Sequence, residues 1–113
     1  MMKNFLPLSA ILAYLHMAGA LQCYNCVASQ NDDMKNCLNI DGTVTVESCT
    51  DDYPICFEAG VNHVYENITT YSNQRGCAIK TICNLINQDY KGNVRKCRLC
   101  SSDKCNNSTL SGN

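Results

Sequence analysis

The ten cysteines constrain this chain more than any other feature, because every one of them lies after residue 20. They are densest in the stretch Cys97–Asn106, which contains three cysteines and ends on a Cys-Asn pair. The full set is Cys23, Cys26, Cys37, Cys49, Cys56, Cys77, Cys83, Cys97, Cys100 and Cys105. An even number of cysteines in a short chain predicts a disulfide frame with the intervening segments held as loops.

Residues 1–20 have the composition of a secretory signal peptide. A basic residue near the start precedes a mostly apolar stretch over residues 5–17, and Ala18-Gly19-Ala20 is a small-residue cleavage motif. The alternative is a membrane anchor, but the apolar stretch is shorter than the roughly 20 residues that a spanning helix requires. The sequence therefore predicts a secreted, extracellular protein whose mature chain begins at Leu21 and contains no transmembrane segment.

Secretion into an oxidising compartment predicts that all ten cysteines pair, giving five disulfides. The mature chain of 93 residues (113 minus 20) forms one small domain with a limited core. Each disulfide contributes about 2–4 kcal/mol by restricting the unfolded chain, so the bridges are expected to be the main stabilisers.

The net charge is only −1, but the charges are unevenly distributed. Residues 32–66 hold eight acids and one base, whereas residues 75–104 hold seven bases and two acids. The pattern predicts an acidic side and a basic side, which we interpret as an ordinary solvated surface rather than as a charged interaction surface. The bases are few and no aromatic platform is interleaved with them, so a nucleic-acid partner is not expected.

Short alternating or β-branched segments between turn signals predict an all-β domain. Strands are expected over residues 21–26, 43–48, 55–64, 78–85 and 94–99, with a returning strand that starts at 69–71 and a loop over 27–36. The Asp41-Gly42 turn predicts a hairpin, and Gly60 predicts a bulge or twist. No segment shows a helical period over three turns.

Two end motifs, Leu21–Cys26 and Cys100–Asn106, resemble those that open and close the lymphocyte-antigen-6/urokinase-receptor domains. The closing motif is shared with three-finger snake toxins, and the order of the ten cysteines is similar as well. The resemblance covers residues 21–107 and implies a small, disulfide-rich, all-β fold of three-finger (snake-toxin-like) hairpins on a disulfide knot. Residues 108–113 are expected to be a short polar tail.

The resemblance also implies which cysteines pair, a question that spacing alone leaves open. The implied pairs are Cys23–Cys56, Cys26–Cys37, Cys49–Cys77, Cys83–Cys97 and Cys100–Cys105. Finger one would then lie between Cys23 and Cys49, finger two between Cys56 and Cys77, and finger three between Cys83 and Cys97. Many members have adjacent cysteines where Arg98 and Leu99 separate two of them here.

Catalytic and metal chemistry are not expected. Cys23-x-x-Cys26 and Cys97-x-x-Cys100 are spaced like the halves of a zinc ribbon or like redox pairs, but secretion favours structural disulfides. His63, the one histidine after residue 20, is interpreted as an exposed loop residue, and a pH-sensitive contact is the alternative. The sequence contains no nucleophile, base and orienting residue in a recognisable pattern. We therefore expect no enzyme activity, metal, cofactor or small-molecule substrate.

Three acceptor sequons for N-glycosylation begin at Asn67, Asn106 and Asn107. The resemblance implies that Asn106 turns inward and bonds backbone groups at the finger bases. A buried amide cannot carry a glycan, so glycosylation is expected at Asn67 and Asn107.

The function that the resemblance implies is a secreted binding module that binds or modulates a cell-surface receptor or ion channel. The alternative is an extracellular adhesive or junction-assembly protein, tethered by a glycolipid anchor if a hydrophobic tail is missing from this chain. Residues 64–69 of finger two contain no Lys or Arg but do contain a sequon, so toxin-like block of a nicotinic receptor is not expected. Contact is expected through finger one or through the basic edge, defined as Arg95, Lys96 and Arg98.

The mature protein is predicted to begin at Leu21 and to contain no free thiol. Intact-mass measurement before and after alkylation without reduction checks both points. An alkylated cysteine in the unreduced protein would contradict the five-bridge frame.

Overall fold

The computed structural model describes residues 20–29 and 35–110; the expected signal peptide lies outside the described residues, apart from Ala20. The strands are β1 (Gln22–Ser29), β2 (Thr45–Ser48), β3 (Ile55–Tyr65), β4 (Ile68–Ala78) and β5 (Val94–Cys100). The helices are α1 (Lys35–Leu38), which is a single turn, and α2 (Ile82–Asp89).

The five strands form one antiparallel sheet in the order β2-β1-β4-β3-β5. The long hairpin of β3 and β4 lies at its centre and pairs continuously from Ile55 opposite Ala78 to Tyr65 opposite Ile68. The expectation of a small, disulfide-rich β domain is therefore confirmed.

All ten cysteines are paired in five disulfides. The bridges join Cys23 to Cys56, Cys26 to Cys37, Cys49 to Cys77, Cys83 to Cys97 and Cys100 to Cys105. These are the five pairs that the resemblance implies, so the two residues between Cys97 and Cys100 leave the pairing unchanged.

The apolar core lies on one face of the β3–β4 hairpin. Phe57, Ala59 and Val61 alternate along β3 and pack with Ile86 of α2. Side chains alternate along a strand, so Glu58 points to the opposite face. One face of β3 is therefore apolar and the other is polar, although both are buried.

A β-bulge at Gly60 and Val61 determines which side chains of β5 reach each face. The register changes there, so that Lys96 lies opposite Gly60 but Val94 lies opposite Val61. Val94 consequently packs against the core, whereas Arg95 reaches the polar face and bonds Asn62. The bulge expected at Gly60 is confirmed, and it re-aims a charged side chain, as such bulges often do.

The strand predicted over residues 78–85 is wrong beyond Ala78, because α2 occupies residues 82–89. Ile82, Ile86 and Tyr90 recur at four-residue spacing and pack against the core, which is the pattern of one helical face. The helix has only two turns and was too short for a three-turn period. The bridge from Cys83 to Cys97 on β5 ties it to the sheet, so this part of the chain is a helix followed by a strand.

Two further boundaries differ from the prediction. The expected loop over residues 27–36 instead begins as strand, since β1 continues to Ser29 and pairs with β4. The expected polar tail is wrong for residues 108–110, because Leu110 is fully buried and its backbone N–H donates to the Leu38 carbonyl. The packed domain therefore extends past Asn107.

Gly60→Ala is predicted to destabilise the fold by about 1–3 kcal/mol, the usual cost of overpacking. A Cβ at this position would lie 2.9 Å from Cζ of Arg95, whose guanidinium is fastened by several hydrogen bonds. Chemical denaturation with the disulfides intact measures the change.

Gly42→Ala is the matched control, because a Cβ at Gly42 would meet no atom within 4 Å. Equal unfolding free energies for the two variants would show that the close approach of the Arg95 guanidinium to Gly60 does not affect stability.

Candidate functional site

The end of the central hairpin projects beyond the strands that flank it. β1 pairs with β4 only as far as Ser29 opposite Ser72, and β5 pairs with β3 only as far as Val94 opposite Val61. Residues 62–71, called the ribbon here, therefore continue past both described neighbours. The ribbon is the middle of finger two in the expected three-finger arrangement.

A two-residue turn closes the ribbon. Glu66 and Asn67 both have positive φ, 49° and 67°, between the paired residues Tyr65 and Ile68. Positive φ at both central positions defines a type I′ turn, which matches the twist of a hairpin and favours Asn. Asn67 is exposed at this turn, so the first glycosylation sequon lies at the ribbon tip.

Large apolar side chains surround the turn and are exposed. Tyr65 is 75% exposed, Ile68 is 65% exposed and Val64 is 56% exposed. Tyr65 and Ile68 are directly opposite each other and share one face of the ribbon, whereas Val64 lies on the other face. Clustered apolar residues on a rigid protrusion mark an interaction surface more often than scattered ones do.

At its base, the hairpin is anchored by a buried carboxylate. Glu58 is fully buried, and its Oε1 lies 2.7 Å from Nη1 of Arg75 while its Oε2 lies 2.6 Å from Nε of Arg98. The backbone N–H of Ser108 donates to Oε1 at 3.1 Å, and the Ser108 hydroxyl donates to Oε2. A buried charge is tolerated only when it is paired and bonded in this way.

Arg75 joins three chain segments through one guanidinium. Its nitrogens donate to the carbonyls of Cys37, Leu38 and Asn106 at 3.0, 2.9 and 3.1 Å. Burial lowers the pKa of Arg75, and the charge of Glu58 acts in the opposite direction. Sequence reasoning missed this pair; the available signal was an acid in the middle of a predicted strand.

The basic edge is largely engaged inside the fold. Arg95 donates to Oδ1 of Asn62 at 2.7 Å and to Oδ1 of Asn73 at 2.9 Å. Its Cζ lies 5.5 Å from the centre of the Tyr71 ring. Burial lowers the pKa of Arg95, and Tyr71 acts against that change.

The other two cations of the basic edge also have partners. Nζ of Lys96 donates to Oγ of Ser108 at 2.7 Å, and Arg98 donates to Glu58 and to the Cys105 carbonyl. The structure therefore does not favour the basic edge as the contact surface, because its cations are already bonded to groups of β3, β4 and the segment that follows β5.

Asn106 turns inward, as the resemblance implies. Its side chain is fully buried; Oδ1 accepts from the Tyr24 N–H at 3.0 Å, and Nδ2 donates to the carbonyls of Tyr24 and Phe57 at 2.9 and 3.0 Å. One amide thus bridges β1 and β3. Asn107 is exposed beside it, and its glycosylation, like that of Asn67, stays a prediction.

The remaining sequence candidates do not assemble into a reactive site. Cys23, Cys26, Cys97 and Cys100 belong to four different disulfides, so neither Cys-x-x-Cys pair offers two thiolates to a metal. His63 lies exposed on β3, where its Nε2 is 3.0 Å from Oγ of Ser72 and its ring meets that of Tyr90 edge to face.

Within residues 20–29 and 35–110, no helix is both long and apolar enough to cross a bilayer.

Comparison of the chain with protein-family models, with curated proteins and with solved structures finds no match.

Asn106→Ala is predicted to lower the free energy of unfolding by about 1–3 kcal/mol, because it leaves buried backbone groups of Tyr24 and Phe57 without a partner. Thermal unfolding of non-glycosylated protein measures the effect.

The control is Asn107→Ala at the exposed neighbouring position. Equal melting temperatures for the two variants would refute the bridging role of Asn106.

Proposed function

We propose that this protein is an extracellular three-finger binding module that binds or modulates a cell-surface receptor or ion channel. The observation that carries the proposal is the exposed apolar tip of the ribbon, formed by Val64, Tyr65 and Ile68. Five disulfides are typical of an extracellular protein and support the proposed compartment.

A rigid base makes such a tip effective in binding. The disulfides Cys23–Cys56 and Cys49–Cys77 hold the ends of the central hairpin, and the Glu58–Arg75 ion pair fixes it from the polar side. A loop that is already ordered loses little conformational entropy on binding, so more of the contact energy becomes affinity.

The composition of the tip narrows the kind of partner. Glu66 is the one charged residue in the ribbon, and the ribbon contains no Lys or Arg. A cation that enters an aromatic cage is therefore absent from this tip. The partner surface is expected to be an apolar groove or shelf that receives Tyr65 and Ile68, and the mode of contact differs from toxin-like block of a nicotinic receptor.

Ile68→Thr is predicted to weaken binding to the cell-surface target by at least about fivefold, because a central apolar contact of an interface is worth more than about 1 kcal/mol. A cell-surface binding screen with refolded protein first identifies the target. The comparison is then made by surface plasmon resonance in an Asn67→Gln background, so that the tip carries no sugar.

Tyr53→Thr is the control, because Tyr53 is 55% exposed but lies between the segments expected to form fingers one and two, away from the ribbon tip. Equal losses in the two variants, or unchanged binding by Ile68→Thr, would reject the tip as the contact. Self-association of the protein would favour the adhesive alternative. Potent displacement of a labelled three-finger neurotoxin from a nicotinic receptor would contradict the expectation that this tip, which lacks a cation, does not bind in the toxin manner.

A further inference from the structure

The apolar pair at the ribbon tip lies beside a glycosylation sequon of the same turn. Tyr65 and Ile68 face each other across the turn and are 75% and 65% exposed. An exposed apolar hairpin end is an aggregation hazard that extracellular proteins keep covered or charged. The only charge in this turn is that of Glu66, which leaves most of the apolar surface open.

The modification sequon lies between the two members of this pair. Asn67 occupies the second central position of the turn, with Tyr65 two residues before it and Ile68 directly after it. Thr69 completes the acceptor motif, and both Asn67 and Thr69 are exposed. A sugar attached to Asn67 therefore starts two residues from Tyr65 and one residue from Ile68 along the chain.

The chemistry of the two groups is complementary. The face of a pyranose ring carries C–H groups with partial positive charge, and the face of an aromatic ring carries negative charge. A tyrosine side chain offers a broad, rigid, half-apolar surface of this kind. The sugar keeps its hydroxyl groups in water while its apolar face covers the ring.

We propose that Asn67 is N-glycosylated and that the first N-acetylglucosamine packs against Tyr65, covering the Tyr65–Ile68 pair. The glycan then has two effects: it stabilises the ribbon tip, and it masks the surface that binds the partner. The masking effect rests on the proposed function, whereas the packing effect does not.

The packing is tested on protein secreted from animal cells in an Asn107→Gln background, so that the Asn67 glycan is studied alone. An endoglycosidase trims that glycan to its first N-acetylglucosamine, and the same Asn107→Gln protein refolded without glycosylation supplies the sugar-free form with Asn67 still in the turn. The single sugar is expected to lower the equilibrium constant for unfolding about three- to tenfold, the size of an aromatic contact.

Tyr65→Thr should reduce that effect to less than about twofold, whereas Val64→Thr, on the opposite face of the ribbon, should preserve it. An equal effect of the sugar with and without Tyr65 would overturn the packing. An unmodified Asn67 in the mass spectrum would overturn the site itself.

The masking is tested on the target bound by the Asn67→Gln protein. The single-sugar form is expected to bind at least about tenfold more weakly. Equal binding would overturn the masking. Failure of the sugar-free protein to bind any cell surface would count against the proposed function, while the stability comparison would still decide whether the sugar packs on Tyr65.

Discussion

The ion pair of Glu58 and Arg75 holds together parts of this molecule that are far apart in the chain. Transfer of both charges from water into the interior is costly, and the cost is offset only when each polar atom finds a partner. Arg98 and Ser108 complete the bonding of the carboxylate, and the guanidinium reaches carbonyl groups including that of Leu38. One side of the sheet, the first helical turn and the carboxyl-terminal residues therefore meet at this pair.

The disulfides and the buried Glu58–Arg75 ion pair stabilise the fold in different ways. The bridges act mainly by restricting the unfolded chain, and they tolerate many local arrangements of the loops between them. The buried Glu58–Arg75 ion pair specifies one register of the strands, because a shift of β3 by one residue would turn Glu58 toward the apolar core. A base specified in this way lets the ribbon project with Tyr65 and Ile68 in solvent, since the fold does not depend on burying them.

Several features were predictable because their causes are local. Cysteine count and turn signals indicated a disulfide-rich β domain, and Gly60 indicated the bulge that the register shows. The pairing of the cysteines followed from the resemblance alone, since spacing leaves it open. The helix α2 was missed because Ile82 and Ile86 give only two turns of pattern, and their burial depends on a sheet surface that no local window contains.

The sequence by itself determined the disulfide-rich class, the absence of Lys and Arg from residues 64–69, and the position of the sequon. Tertiary structure alone decided which charges are available at the surface. Arg95 was expected to lie on an exposed basic edge, but the bulge turns it toward Asn62 and Asn73. The physical reason is that the hydrogen-bond partners of a charged side chain come from strands that are distant in the sequence. The residues next to it in the chain therefore do not show whether its charge is exposed or bonded inside the fold.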